Sequence, residues 1–318
     1  MRSVLKILFM GTPALACASL QALLDAPQFE VVGVVTQPDR PKGRDLKLLP
    51  SPVKDLAVRR GLPVFQPQKS RDEQFIESIR QLGPDLIAVA AFGQLLPPVL
   101  LELPPFGCLN VHTSLLPKYR GAAPIQWAIL NDELATGVTI MKMDAGLDTG
   151  PILAQRTTPI LAEDSAETLH DRLAQLGARL LVETIPAYVS GAAVPTSQPE
   201  QGVSHARKIV KEDGLIDWEL PARQIWNRVR GLVPWPGAFT YLPSPGPGLL
   251  KIWSSEVADQ SAPPGEITVA NKAGIIVGCG RQALRILSLQ REGARRLTPE
   301  QFLAGCPLRL GQNLGRRG

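Results

Sequence analysis

The stretch VLKILFMGTPALACASLQALLDAPQFEVVGVVT, residues 4–36, decides the fold. It opens with an apolar run that stops at Gly11-Thr12-Pro13. Ala14 to Leu24 then carries apolar residues at helical spacing, and a second run, FEVVGVVT, closes the stretch. Short runs rich in Val, Ile and Leu and bounded by turn residues suit strands buried on both faces of a parallel sheet. A helix between two such strands is the crossover that parallel pairing requires.

The pattern continues outward. PDLIAVAAFG (84–93), GCLNVH (107–112) and GVTIMKMD (137–144) read as further buried strands. Helices are expected at Pro52–Arg60, Arg71–Leu82 and Ala122–Leu130, with PILAQRTTPI (151–160) as a strand at the sheet edge. The stretch 163–191 reads as one long helix, with Asp164 as its cap, Glu167 three residues on, and a stripe of Leu169, Leu173, Leu176 and Leu180. This alternation predicts a doubly wound, Rossmann-like and mostly parallel α/β sheet that takes its ligand at the carboxyl ends of the strands.

The character changes near residue 190. SGAAVPTSQPEQG (190–202) is rich in small residues and proline and reads as a linker. One helix-like segment, 221–232, follows, and then five short strand candidates: GAFTYL, LLKIWSSEV, GEITVA, GIIVG and ALRILSLQ. Their spacing predicts a small β-barrel of OB-like type. The expected division is therefore 1–189, a linker over 190–207, and a barrel over 208–318. At 318 residues the chain is long enough for two cores.

Charge separates the halves in the same way. The first 190 residues hold 18 basic and 19 acidic side chains, whereas the remainder holds 16 and 10, so the net charge of +5 belongs to the carboxy-terminal part. A basic domain favours an anionic partner, nucleic acid first among them. The four cysteines lack paired ligand spacing, which argues for reduced core thiols and against structural zinc. No apolar window approaches the ~20 residues of a membrane span. A soluble, cytoplasmic protein, most simply a monomer, is expected.

Three elements could carry chemistry. Asn110 and His112 are two apart on a strand, so they share a face. An amide N–H can stabilise an oxyanion, and an imidazole can exchange a proton near neutral pH. The alternative is a strand-end pair bonded to nearby backbone. Asp144 and Asp148 flank a glycine turn after the last strand. Either could orient a neighbouring imidazole, or simply bond the backbone of its own turn. The third element is the loop over 36–51, with Arg40, Lys42, Arg44 and Lys47, followed by Lys54. Such a loop could grip a polyanion or merely be solvated. Ser114 has no G-x-S-x-G elbow, and neither a dinucleotide fingerprint nor a phosphate loop is present.

NVHTSLLPKYRGAAPIQWAIL (110–130) together with GVTIMKMDAGLDTGPIL (137–153) resembles the signature of the 10-formyltetrahydrofolate-dependent formyltransferases. GTPALA, TQPDRPKGR, LLPSPVK, GLPVFQP, AAFGQLLP, the stretch 216–240 and the final LSLQREGARRLTPEQFLAG are similar to the branch of that family that formylates methionine on initiator tRNA. The resemblance covers nearly the whole chain. It implies a catalytic trio of Asn110, His112 and Asp148 and 10-formyltetrahydrofolate as formyl donor, without a metal. It also implies a folate site at Ser114, Leu115, Leu116 and Pro117 with Phe92, Gly93 and Asp144, and initiator Met-tRNA as acceptor. Arg40, Lys42, Arg44 and Lys47 would contact the tRNA, with Arg44 matching the family's key arginine. Here the chain departs from the pattern, since Asp45 and Leu46 follow Arg44 where relatives carry a small residue and another base. Leu15 likewise replaces the commoner aromatic in GTPALA.

Two other classes stay open on the residues alone. A formyltransferase for a small amine would use the same trio but leave the basic loop and basic barrel without a purpose. A non-catalytic RNA-binding protein would explain the charge but not the trio.

Overall fold

The structure is a computed structural model and describes residues 4–42, 47–243 and 248–315. It divides into two compact units. The first comprises Met1–Pro124, Ala135–Pro159 and His170–Ala206; the second comprises Ile125–Leu134, Ile160–Leu169 and Arg207–Gly318.

In chain order the elements up to residue 206 are β1 (Leu5–Gly11), α1 (Ala14–Asp25), β2 (Phe29–Val35), β3 (Arg40–Lys42), β4 (Lys47–Leu49), α2 (Pro52–Arg59), β5 (Val64–Phe65), α3 (Glu73–Leu82), β6 (Leu86–Ala90), α4 (Pro98–Leu101), β7 (Cys108–His112), β8 (Arg120–Gly121), α5 (Pro124–Leu130), β9 (Ala135–Lys142), β10 (Ile152–Pro159), α6 (Ala166–Val189) and β11 (His205–Ala206). Seven strands form one sheet in the order β10-β9-β7-β6-β1-β2-β5. The pairs from β5 to β7 are parallel, and β9 and β10 are antiparallel additions at the other edge. The expected α/β sheet is thus present, with β10 as its edge.

Side-chain alternation sorts the layers. Leu8, Met10, Ile87, Val89 and Cys108 pack with Phe75, Ile76 and Ile79 of α3 on one face. Each fully buried side chain of this size contributes about 1.5–3 kcal/mol. On the opposite face Val111 lies against α6, where a Cβ at Gly177 would stand 2.6 Å from Val111 Cγ1. Local signals set the helix ends. Ser51 caps α2 by accepting from Lys54 N, with Pro52 in its first turn. Asp72 caps α3 by accepting from Phe75 N, and Gly83 ends that helix in the left-handed conformation.

Some expectations shift. The loop over 36–51 contains an antiparallel ribbon, with Arg40 opposite Leu49 and Lys42 opposite Lys47. Arg44 lies outside the described residues. The long helix is capped one residue later than expected: Ser165 Oγ accepts from Thr168 N, and Thr168 Oγ1 accepts from Ser165 N. Asp164 instead accepts from Leu161 N and Thr168 Oγ1. The stretch read as a linker is hydrogen-bonded into the first unit, because Thr196 exchanges backbone bonds with Ile152 and Ser204 accepts from Arg120 N. Cys108 and Cys279 are buried, and burial pushes each thiol up to about 12. Cys17 and Cys306 are only half-buried.

Beyond residue 206 the second unit holds a short 3-10 turn (Lys211–Gly214), α7 (Ala222–Gly231), β12 (Ala238–Tyr241), β13 (Leu249–Ala258), β14 (Ile267–Asn271), β15 (Gly274–Gly278), β16 (Ala283–Arg291) and α8 (Pro299–Gly305). The five strands form an antiparallel sheet in the order β12-β13-β16-β15-β14. Residues 311–315 then pair with both edges: Gly315 exchanges bonds with Tyr241, and Gly311 and Gln312 bond Ile267. Helix α8 escaped the sequence reading, although Thr298 and Gln301 form a reciprocal capping box with Pro299 at the first turn. No helix among the described residues is long and apolar enough to cross a membrane.

Arg230 is a buried cation at the end of α7. It donates to Asn227 Oδ1 and to the carbonyls of Leu161 and Asp164, and its guanidinium stacks 4.1 Å from the Trp226 ring centroid. Arg223 forks onto Asp132, holding that carboxyl below its usual range. Arg230→Met keeps the stem but removes the cation that donates to Asn227 Oδ1 and to the Leu161 and Asp164 carbonyls. The expected cost is about 3 kcal/mol of stability, measurable in a denaturant melt. A change below about 0.5 kcal/mol would place Arg230 among inconsequential surface cations.

Candidate active site

Strand β7 passes from core to chemistry within five residues. Cys108, Asn110 and His112 point to the face that carries α3, and Val111 points to α6. Cys108 is packed in the apolar cluster, while Asn110, half-buried, and His112, buried, begin a polar patch on the same face. The site therefore lies over the carboxyl half of β7 rather than wholly beyond the end of the sheet.

The turn between β9 and β10 folds back over this patch and delivers Asp148. Gly150 allows that return, because a Cβ there would stand 1.9 Å from the carbonyl oxygen of Lys142. Asn110 Nδ2 donates to Asp148 Oδ1 at 3.4 Å, and the backbone N–H of Gly121 donates to Asp148 Oδ2 at 2.8 Å. His112 Nδ1 stands 3.7 Å from Asp148 Oδ2. The other imidazole nitrogen, Nε2, is 2.9 Å from the carbonyl oxygen of Tyr119. A carbonyl can only accept, so Nε2 is the donor of that pair, and Nδ1 is the nitrogen that faces the carboxylate. The Asn110 amide has two N–H bonds, and Asp148 engages one.

Tyr119, Arg120 and Gly121 thus hold two members of the trio at once. Their own position comes from the strap that follows α6. β8 pairs in parallel with β11, and Tyr119 N donates to Ser204 Oγ at 2.9 Å. Gly121 is required at this crossing, since its φ is 118° and a Cβ would meet the Ala206 carbonyl oxygen at 2.7 Å. Gln198 of the same strap bonds Arg120, Asp148 and Gly150. None of these supports was read from the sequence. The strap showed no periodicity, and a two-residue strand is too short to leave any.

The remaining site candidates fall into three places. Ser114 and Leu116 are buried and their polar groups are used internally: Ser114 Oγ donates to Lys118 O, Thr139 Oγ1 to Ser114 O, and Gln155 Nε2 to Leu116 O. Leu115 and Pro117 are half-buried. Phe92 is buried, and its carbonyl accepts from Thr12 Oγ1 and Gln37 Nε2, tying together the loops after β1, β2 and β6. Gly93 is exposed in that cluster, with φ 86°. Val89 pairs with Asn110, so residues 91–93 leave β6 at the same carboxyl end of the sheet as His112. Asp144 is exposed and accepts from Gly146 N and Thr149 Oγ1, so it shapes its own turn. Of the two aspartates of one glycine turn, Asp144 bonds its own turn and Asp148 faces His112.

In the basic loop, Arg40 is exposed at the start of β3 and Lys42 pairs with Lys47 across the ribbon. Lys54 is engaged, 2.5 Å from Asp39, and Gln66 donates to the same carboxylate. No group of His, Cys, Asp or Glu among the described residues could hold a metal ion.

Comparison with known proteins gives the family. Residues 5–185 match the formyl transferase family model, and residues 208–307 match the model of the formyl transferase carboxy-terminal domain. The methionyl-tRNA formyltransferase of Trichlorobacter lovleyi is 53% identical over 306 residues, 96% of each chain. Among solved structures, HypX of Aquifex aeolicus in complex with tetrahydrofolic acid matches 99% of this chain and 51% of its own, at 18% identity and a TM-score of 0.62. An N-formyltransferase of Helicobacter canadensis, in complex with folinic acid and dTDP-3-aminofucose, matches 90% of this chain and 99% of its own, at 20% identity and a TM-score of 0.65. The structural likenesses show a shared fold; the sequence likeness shows that the chain belongs to the methionyl-tRNA formyltransferases, a branch of the formyl transferase family.

Proposed function

We propose that the protein transfers the formyl group of 10-formyltetrahydrofolate to the α-amino group of methionine on initiator tRNA. The observation that carries this reading is the convergence of Asn110, His112 and Asp148 from two distant stretches of chain onto one polar patch. In the transfer the amine nitrogen bonds the formyl carbon, the bond from that carbon to N10 of the folate breaks, and the proton lost by the amine is returned to N10. Negative charge gathers on the formyl oxygen on the way. The free N–H of Asn110 is the donor that meets it, with His112 beside it as the second stabilising group. Asp148, next to the imidazole, relays the proton. Hydrogen bonds polarise the carbonyl, so a metal has no task in this scheme.

The half-buried Leu115 and Pro117 with the exposed Gly93 supply apolar edge and open backbone for a flat pterin. Ser114, Leu116 and Phe92 frame that site from inside the core, and Asp144 shapes the turn that bounds it. HypX, which shares this fold, is in complex with tetrahydrofolic acid, which supports a folate as the formyl donor here.

Residues 208–318 act in this reading as an OB-like barrel for the tRNA body, with residues 311–315 closing the gap between β12 and β14. Its outer surface favours RNA: Trp253 on β13 lies between Lys251 and Arg296, 5.4 and 3.6 Å from its ring centroid, and Trp235 is 56% exposed. The catalytic domain is 1–189, working with the strap over 190–207. The enzyme acts in the cytoplasm as a monomer.

Arg40, Lys42, Arg44 and Lys47 engage the acceptor end of the tRNA. Arg44→Ala is expected to raise KM for Met-tRNA by roughly ten-fold or more, with folate affinity unchanged in an equilibrium titration. Equal losses for both substrates would remove the loop from RNA recognition. An acceptor that is a small amine, such as an amino sugar, would instead leave Arg44→Ala silent.

A further inference from the structure

We infer that Gln198, with Arg120 as its partner, is a positioning residue for Asp148; the inference rests on the catalytic trio proposed above. Its side-chain amide is used completely. Nε2 donates to the carbonyls of Asp148 and Gly150, each at 2.8 Å, and Oε1 accepts from Arg120 Nε at 3.1 Å and Nη2 at 2.7 Å. Asp148 itself has φ 52°, in the left-handed region that Asp visits more readily than most residues with a Cβ, and the bond to its carbonyl holds that turn.

The network closes on itself. Gly121, next to Arg120, donates to Asp148 Oδ2, while Gln198 bridges the Arg120 side chain to the Asp148 carbonyl. Backbone and carboxylate of Asp148 are thereby fixed from the same two-residue strand, and Tyr119 O fixes His112 from its other side. Gln198 touches none of the reacting groups and sets the direction from which Asp148 meets the imidazole. Only a side chain with both an N–H donor and an oxygen acceptor at this reach satisfies the two carbonyls and the guanidinium together.

The test uses the full-length enzyme and a double-mutant cycle. Gln198→Glu keeps the shape and the Arg120 contact but turns the donor to the two carbonyls into a second acceptor. Both Gln198→Glu and Gln198→Ala are expected to lower kcat by roughly ten- to a hundred-fold, with KM for folate and Met-tRNA within about two-fold. Circular dichroism confirms that the variants are folded. In an Asp148→Asn background, Gln198→Glu is expected to add less than about a two-fold further loss, because its effect runs through Asp148. An unchanged kcat in Gln198→Glu, or the same loss with and without Asp148, overturns the inference. Full activity of Asp148→Asn alone overturns the trio itself, so the two failures are distinct.

Discussion

His112→Ala is expected to lower kcat for formyl transfer by about a thousand-fold while folate and Met-tRNA still bind. Two consequences of the geometry combine in this loss. The imidazole disappears from the side of the site where Asp148 stands, 3.7 Å away in the structure. The carboxylate, still held by Asn110 and Gly121, then has no partner through which to move a proton. Binding is expected to survive because the surfaces proposed above for folate and tRNA are unaltered. Rapid-quench measurement of a single turnover separates the chemical step from binding. A loss confined to KM would make His112 a binding group, and loss of folate binding in the variant would make it a structural one.

Asn110→Ala is the second large effect. Removing one donor to a developing oxyanion costs about 3 kcal/mol of barrier, or roughly a hundred-fold in rate. The amide also donates to Asp148 Oδ1 at 3.4 Å, so its removal loosens the carboxylate as well. Folate affinity is expected to change little, since the charge that Asn110 meets develops only as the reaction proceeds. Turnover within about three-fold of the parent enzyme would remove the oxyanion role.

These two residues were legible in the sequence for a physical reason. A strand has a period of two, so Asn110 and His112 had to share a face wherever the strand lay. The run-and-turn pattern likewise announced β1, β2, β6, β7 and β9, and the five strands of the second unit. What the sequence withheld was long-range and brief. β8 and β11 are two residues each, and their pairing joins positions 85 apart, His205 with Arg120. Gln198 stands between a serine and a proline in a stretch without periodicity, and nothing local tells it from a linker residue. The cap of α6 moved by one position because Ser165 and Thr168 satisfy each other's backbone, which Asp164 and Glu167 do not. Nor could spacing alone say which aspartate of the glycine turn faces the imidazole. Asp144 is consumed by Gly146 and Thr149, while Asp148 is carried past its own turn to Asn110 and Gly121.

Residues 125–134 and 160–169 fall in the second compact unit although they interrupt the first in sequence. Within that unit Asp132 is gripped by Arg223 and Asn227, and the Leu161 and Asp164 carbonyls by Arg230. Composition alone pointed to a boundary near 190, because the change from mixed α/β to short strands occurs there. The returning segments carry no such mark.

The central claim is the reaction itself, and transfer of a labelled formyl group from 10-formyltetrahydrofolate tests it most directly. Initiator Met-tRNA serves as acceptor, with free methionine and uncharged tRNA beside it. The account predicts label on the charged tRNA alone, recovered as formylmethionine after the ester is hydrolysed. Label on free methionine at a comparable rate, or no transfer to Met-tRNA while folate binds, would contradict it.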